Sequence, residues 1–419
     1  MKLPDCIFMR YYIKKIKRQN VVILLISLVV YAGTVMSTSL NPPARKEILS
    51  APDNKFAGSA SCSACHNDIY KSHIQTAHYH DSRPANQEFI KGSFADGKNR
   101  YDYNKWMYVL LQKEDNRFFQ TAFINGIEYQ KAPFDIVIGS GRKGQTYLYW
   151  DGDMLYQLPV SYFTLQNRWC NSPGFSNNFI RFDRIIPAQC LECHSTYAKV
   201  LEDKDNISTF DKSQIIYGID CERCHGPAAD HVNFHREHPE EKNAKFLVST
   251  KKLSRQQRLD ACAICHSGFR KQVKQPFTFQ TGDNLDKHSV AAFRSDSVST
   301  LDVHGNQYGL LMSSKCFKLS QMDCSSCHNV HANEVNSPAL FSQRCITCHK
   351  ETNHSSLQLS DNRQSLLSAN CIDCHMPMLP SRNIVLNVED LDNSVPDTVR
   401  THRIAIYPEL VKNFFKVAN

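Results

Sequence analysis

The chain is short of the material for an ordinary large core. Hydrophobic residues make up only 42% of its 419 residues, and there are three tryptophans. A chain of this length is expected to form two or three domains. Some of the apolar surface buried on folding must therefore come from something other than side chains. Net positive charge away from the N-terminus is scarce too. The formal net charge is +8, but Lys2, Arg10, Lys14, Lys15, Lys17 and Arg18 stand against Asp5 alone in the first 20 residues and supply most of it. The rest is nearly balanced, which excludes a basic face for nucleic acid. Long apolar runs are also lacking. Val21–Met36 (VVILLISLVVYAGTVM) falls slightly short of the roughly 20 residues that span a bilayer.

Cysteine, by contrast, is abundant. Of 17 cysteines, 14 fall into seven copies of Cys-x-x-Cys-His. These are Cys62/Cys65/His66, Cys190/Cys193/His194, Cys221/Cys224/His225, Cys262/Cys265/His266, Cys324/Cys327/His328, Cys345/Cys348/His349 and Cys371/Cys374/His375. At these residue frequencies chance would place about 0.03 copies in the chain, and the pattern is that of c-type haem attachment. Two thiols add across the two vinyl groups of one haem, and the spacing lets both sulfurs meet the same porphyrin edge. The adjacent histidine then ligates the iron from the proximal side. Zinc ribbons also use Cys-x-x-Cys pairs, but they do not place a histidine directly after every second cysteine. A thioredoxin-like pair would occur once, near a βαβ pattern. The expected cofactor is therefore haem c, seven per chain and covalent. Porphyrins supply the missing apolar surface, so folding should be coupled to attachment.

The basic stretch KKIKR followed by residues 21–36 has the form of an export signal. It is either cleaved after the small residues Ser37, Thr38 and Ser39 or kept as an N-terminal membrane anchor. Either outcome puts the body in the periplasm or on the outer side of a bacterial cytoplasmic membrane, where haem-attachment machinery works. The expected organisation is 1–40 signal or anchor, 41–57 linker, 58–95 first haem segment, 96–186 β-rich insertion, 187–380 six-haem domain and 381–419 C-terminal tail. The insertion is read from YVLLQ, RFFQTAFI, DIVIGS, TYLYW and MLYQLPV, with Asp151-Gly152 as a hairpin turn. The six later motifs come at irregular intervals of 21 to 62 residues, which excludes a solenoid. The expected fold is mainly α with long loops wrapped around stacked covalent haems, plus that β-rich insertion and an N-terminal apolar export or anchor helix.

A low-spin haem needs a second axial ligand. Of 18 histidines, eleven are not proximal. His331, His231 and His354 lie three, six and five residues after the attachment histidines 328, 225 and 349. Each is too near its own proximal histidine to reach round the same ring, and each would serve a neighbouring haem. With His78, His304 and His402 they form the expected distal set. His231, His235 and His238 share one helical face. That arrangement reads as one ligand with two solvated neighbours, or else as a separate metal site. Cys6 is in the leader, and Cys170 and Cys316 would be exported and free to pair.

The segment CSACHNDIYKSHIQTAHYHDS resembles the opening of multihaem cytochromes related to the tetrahaem cytochrome that serves hydroxylamine oxidoreductase. CERCHGPAADHV, CSSCHNVH and CIDCHMPM resemble further segments of that group. The resemblance covers about residues 58–95 and 187–405, and it implies packed stacks of mostly bis-His haems. The function expected is electron transfer between a membrane donor and an exported acceptor, with redox partner proteins of the cell envelope. The alternative is a multihaem oxidoreductase acting on a small nitrogen or sulfur compound at one five-coordinate haem.

Overall fold

The protein is not mainly α. In the computed structural model 25% of the described residues are helical and about 30% lie in strands, spread over several sheets. The structure describes residues 55–292, 300–335, 337–351, 354, 370–387 and 394–410. Segment 21–36, with the expected export or anchor helix, lies outside them. Among the described residues no helix is long and apolar enough to cross a membrane. The expectation of a helical fold fails for a simple reason. A Cys-x-x-Cys-His motif needs about one helical turn, and the described helices that carry it are short. The longest, Arg255–His266, has 12 residues. Strands, meanwhile, continue well past the region where they were expected.

The strands run β1 (Ser82–Pro84), β2 (Arg100–Asn104), β3 (Met107–Glu114), β4 (Arg117–Ile124), β5 (Ile127–Pro133), β6 (Ile136–Ile138), β7 (Gly144–Asp151), β8 (Met154–Gln157), β9 (Val160–Phe163), β10 (Arg168–Asn171) and β11 (Arg184–Ile185). β2 to β5 form an antiparallel meander, and β1-β6-β7-β8-β11 form a second sheet that β9 and β10 join through β7. Asn125 and Gly126 (φ 52° and 76°) turn β4 into β5, and Gly152 (φ 56°) turns β7 into β8. Both turns need positive φ, and both carry residues that tolerate it.

The two sheets share one apolar core. Val109, Leu111, Phe118 and Ala122 of the meander belong to the same buried cluster as Val137, Tyr147, Val160 and Trp169 of the second sheet. Other side chains of the second sheet are polar and bonded to one another. Thr146 Oγ1 lies 2.6 Å from Ser161 Oγ, and Gln157 Nε2 donates to Thr146 Oγ1 at 3.0 Å. These residues line the cavity described below.

Beyond Pro187 strand pairs are interspersed among the haem motifs. The helix Ala188–His194 carries the second motif and runs straight into a long hairpin of β12 (Ser195–Lys204) and β13 (Ile207–Tyr217). β13 in turn delivers the third motif, the helix Cys221–His225. Two short pairs follow, β14 (Arg270–Gln272) with β15 (Ser289–Ala291) and β16 (Met378–Leu386) with β17 (Val395–Arg400).

Candidate haem cavity

Each motif is set by local structure. Amides of His66, His328 and His349 donate to the carbonyls of Cys62, Cys324 and Cys345 at 2.8, 3.0 and 2.9 Å. This is one helical turn, which puts the first cysteine and the histidine on one side. Asp220 and Asp323 cap the third and fifth motifs, accepting from the amides of Cys221 and Ser325. Ser254 and Gln257 form a capping box that starts the helix ending in the fourth.

Polar side chains then join one motif to the next. Arg223 donates to Glu192 O at 2.9 Å, linking the third motif to the second. Arg258 meets Asp323 at 2.5 Å, linking fourth to fifth. Arg344 donates to Cys327 O at 2.5 Å, and Cys371 N donates to Ser342 Oγ at 2.9 Å, linking fifth, sixth and seventh. Buried Glu222 accepts from Ala57 N, Gly58 N and Ala228 N at 2.8, 2.9 and 2.8 Å, tying the third motif to the chain entering the first.

All seven motifs face one continuous cavity of about 4010 Å³, lined by every attachment cysteine except Cys190 and by all seven proximal histidines. That is about 570 Å³ per motif, within the roughly 300–1,000 Å³ of ordinary ligand sites.

Histidines meet in pairs across this cavity. His78 faces His266 with ring centres 6.0 Å apart, His402 faces His328 at 6.1 Å, His331 faces His225 at 6.2 Å and His354 faces His375 at 6.4 Å. Two imidazoles bound to one metal through bonds of about 2 Å each have ring centres roughly 6 Å apart. In each pair one ring follows a Cys-x-x-Cys and the other belongs to a different stretch of chain.

The proximal rings are oriented from behind. His225 Nδ1 lies 2.9 Å from Val248 O, and His375 Nδ1 lies 2.9 Å from Ala405 O. A carbonyl can only accept, so Nδ1 carries the proton and Nε2 is left free to bind metal. His266 uses Gln307 Oε1 at 3.3 Å, and His194 uses the Asp81 carboxylate at 3.0 Å. Burial, reinforced by the neighbouring His266, pushes His78 down to about 4. Burial, with His328 second, does the same to His402. His304, His328 and His331 are also lowered, chiefly by burial. Neutral imidazole is the metal-binding form. Paired thiols, free Nε2 atoms, facing rings and sufficient volume all fit covalent haem. Among the described residues no three His, Cys, Asp or Glu side chains close on one point as a metal cluster would.

Comparison with known proteins agrees. Residues 180–226 match the family described as cytochrome c554 and c-prime. The chain is 25% identical over 181 residues to the multiheme cytochrome MtrA of Shewanella baltica (strain OS185), a match covering 39% of this chain and 52% of that one. It thus spans about half the length of this curated relative. The fold is similar to the crystal structure of the outer cell wall cytochrome OcwA, with TM-score 0.55 and 15% identity over 86% of this chain and 81% of that one.

The chain is a multihaem c-type cytochrome.

Haem c is its cofactor. Of the expected distal histidines, the cytochrome brings His78, His331, His354 and His402 opposite proximal rings. His231 and His304 line the cavity without such a ring contact. His231 Nδ1 is taken by Lys245 O at 2.8 Å, and His304 lies 3.9 Å from Asp397. His235 packs on His231 at 4.6 Å with its Nε2 buried and unpartnered, whereas His238 turns to Glu240 at 3.5 Å. From the sequence His235 is a solvated neighbour of His231 or part of a separate metal site, and the burial of its Nε2 has no sequence signal. The backing groups Val248 O, Ala405 O, Gln307 and Asp81 were missed as well, since any residue can offer a carbonyl. Cys170 and Cys316 are unpaired, Cys170 being buried with Phe163 and Leu386.

Proposed function

We propose that this cytochrome is an exported relay holding seven haems, with electrons passing between a membrane-side donor and an exported acceptor. Four facing imidazole pairs in one cavity carry the reading. In it, His266 with His78, His225 with His331, His328 with His402, and His375 with His354 would each hold one haem iron between them. His231 and His304 remain candidates for the irons at His66, His194 and His349. When bound, the haems supply one-electron iron chemistry. The chain's own work is to anchor their edges through thiols, orient the imidazoles through the Nδ1 partners, and exclude water by closing strands and loops around them. Export is supported by the basic and apolar N-terminal sequence and by the need for envelope haem-attachment machinery. The fold neighbour's description as an outer cell wall protein is in keeping with it.

Mass spectrometry and spin-state spectroscopy of the purified holoprotein test the reading. Seven covalent haems with mostly low-spin iron are expected. Five haems or fewer in mature protein would sink it. A native high-spin iron would favour oxidation or reduction of a small nitrogen or sulfur compound at that haem.

A further inference from the structure

Among the described residues four proximal histidines have a partner at Nδ1, and one partner differs in kind. His225 and His375 donate to backbone carbonyls and His266 to a neutral amide oxygen. His194 alone of these donates to a carboxylate, Asp81 Oδ2 at 3.0 Å. The contact is long-range in sequence, spanning 113 residues. It is also firmly built. The amide of Asp81 donates to His78 O, and its own carbonyl accepts from Gly139 N. Three bonds thus fix the aspartate between the first haem segment, the second sheet and the second motif.

A hydrogen bond to a charged acceptor is about twice as strong as one to a neutral acceptor. It pulls the Nδ1 proton away from the ring and makes Nε2 a more basic ligand. A more basic axial ligand and a fixed negative charge close by both stabilise ferric over ferrous iron. Hydrogen bonding of this sort is one of the main levers a protein has on haem potential.

We propose that Asp81 is a potential-setting residue for the haem at Cys190 and Cys193, giving that haem a lower potential than those bound by His225, His266 and His375. The inference rests on the haem-binding reading above. Asp81 touches the ligand and not the iron, so its role is positioning and electronic. The arrangement also gives the relay a direction. The sulfur of Cys193 sits beside that of Cys265 in the fourth motif. With haem bound, the haem held by His194 would have that of His266 as its higher-potential neighbour, and a single electron, with no proton, would pass from the first to the second.

The test is potentiometric titration of the holoprotein followed by electron paramagnetic resonance, with haem number read separately by intact mass. Asp81→Asn keeps shape and removes charge. It should move one haem to more positive potential and change that haem's resonance, leaving the others in place. Asp81→Glu should hold that haem near the wild-type value. Gln307→Glu puts a carboxylate behind His266 and should move a different haem to more negative potential. Unchanged potentials in Asp81→Asn, or a common shift of every haem, would overturn the proposal. A wild-type mass with fewer than seven haems would fault the haem count instead, and the Asp81→Asn comparison would still decide this question.

Discussion

His331 follows an attachment histidine by three residues yet faces a different one. It lies 6.2 Å from His225, nearly parallel at 12°. His331→Ala should leave the iron at His225, and not that at His328, five-coordinate or water-bound. A new high-spin signal and a shifted potential are expected with haem number unchanged, because no thioether is touched. A spectrum identical to wild type would reduce His331 to a surface residue. Titration offers a second check at this scale. His78 and His402 sit at about 4 in the native chain, against an ordinary value near 6.5. The unfolded chain therefore binds protons between about pH 6.5 and 4 that the native chain refuses. Stability should fall as pH drops through that window. Denaturant midpoints at pH 7 and pH 4.5 measure this, and the lower value belongs at pH 4.5.

The attachment motifs act as elements only because strands and turns deliver them. Gly218 closes β13 just before the third motif, with φ 69°. A Cβ there would run into the carbonyl of Tyr79, while Ile219 N bonds His78 O at 2.8 Å. This close crossing holds His78 opposite His266. Gly218→Ala should destabilise the holoprotein by about 1–3 kcal/mol, from positive φ and displaced backbone. It should also give partial high-spin character to the His266 iron, although a Cβ at residue 218 would meet only the backbone of Tyr79 and His78 and neither imidazole. Unaltered spin state with a lowered melting temperature would separate the crossing from ligand placement. Strand segments such as TYLYW and turns such as Asp151-Gly152 were legible in sequence because alternation and turn chemistry are local. The β12–β13 hairpin was missed because STYAKVLEDK and ISTFDKSQIIY lie between haem motifs, where loops wrapped around the haems were expected. Polar residues there alternate loosely, and two register shifts blur the period between Ser195 and Val200.

At the scale of the molecule, a cavity of about 4010 Å³ cannot stay closed and empty. Folding and haem attachment should therefore be one event. Expression without residues 1–40, which keeps the chain from the attachment machinery, should give colourless, largely unfolded protein. Red, haem-stained protein from that expression would contradict the proposed export. The chemistry of the site was written locally, in seven five-residue motifs whose spacing alone dictates thioethers and a proximal ligand. Which histidine crosses to which ring was not. That choice depends on contacts such as His78 with His266 or His402 with His328, between segments far apart in the chain. The carbonyls and carboxylate behind the proximal rings were equally invisible, because a backbone oxygen has no residue identity and Asp81 meets His194 only after the chain has closed around the cavity. Covalent chemistry needs only neighbours in sequence and was determined there. The pairing of imidazole rings across the cavity and the groups behind the proximal rings need neighbours in space, and the tertiary structure decided them.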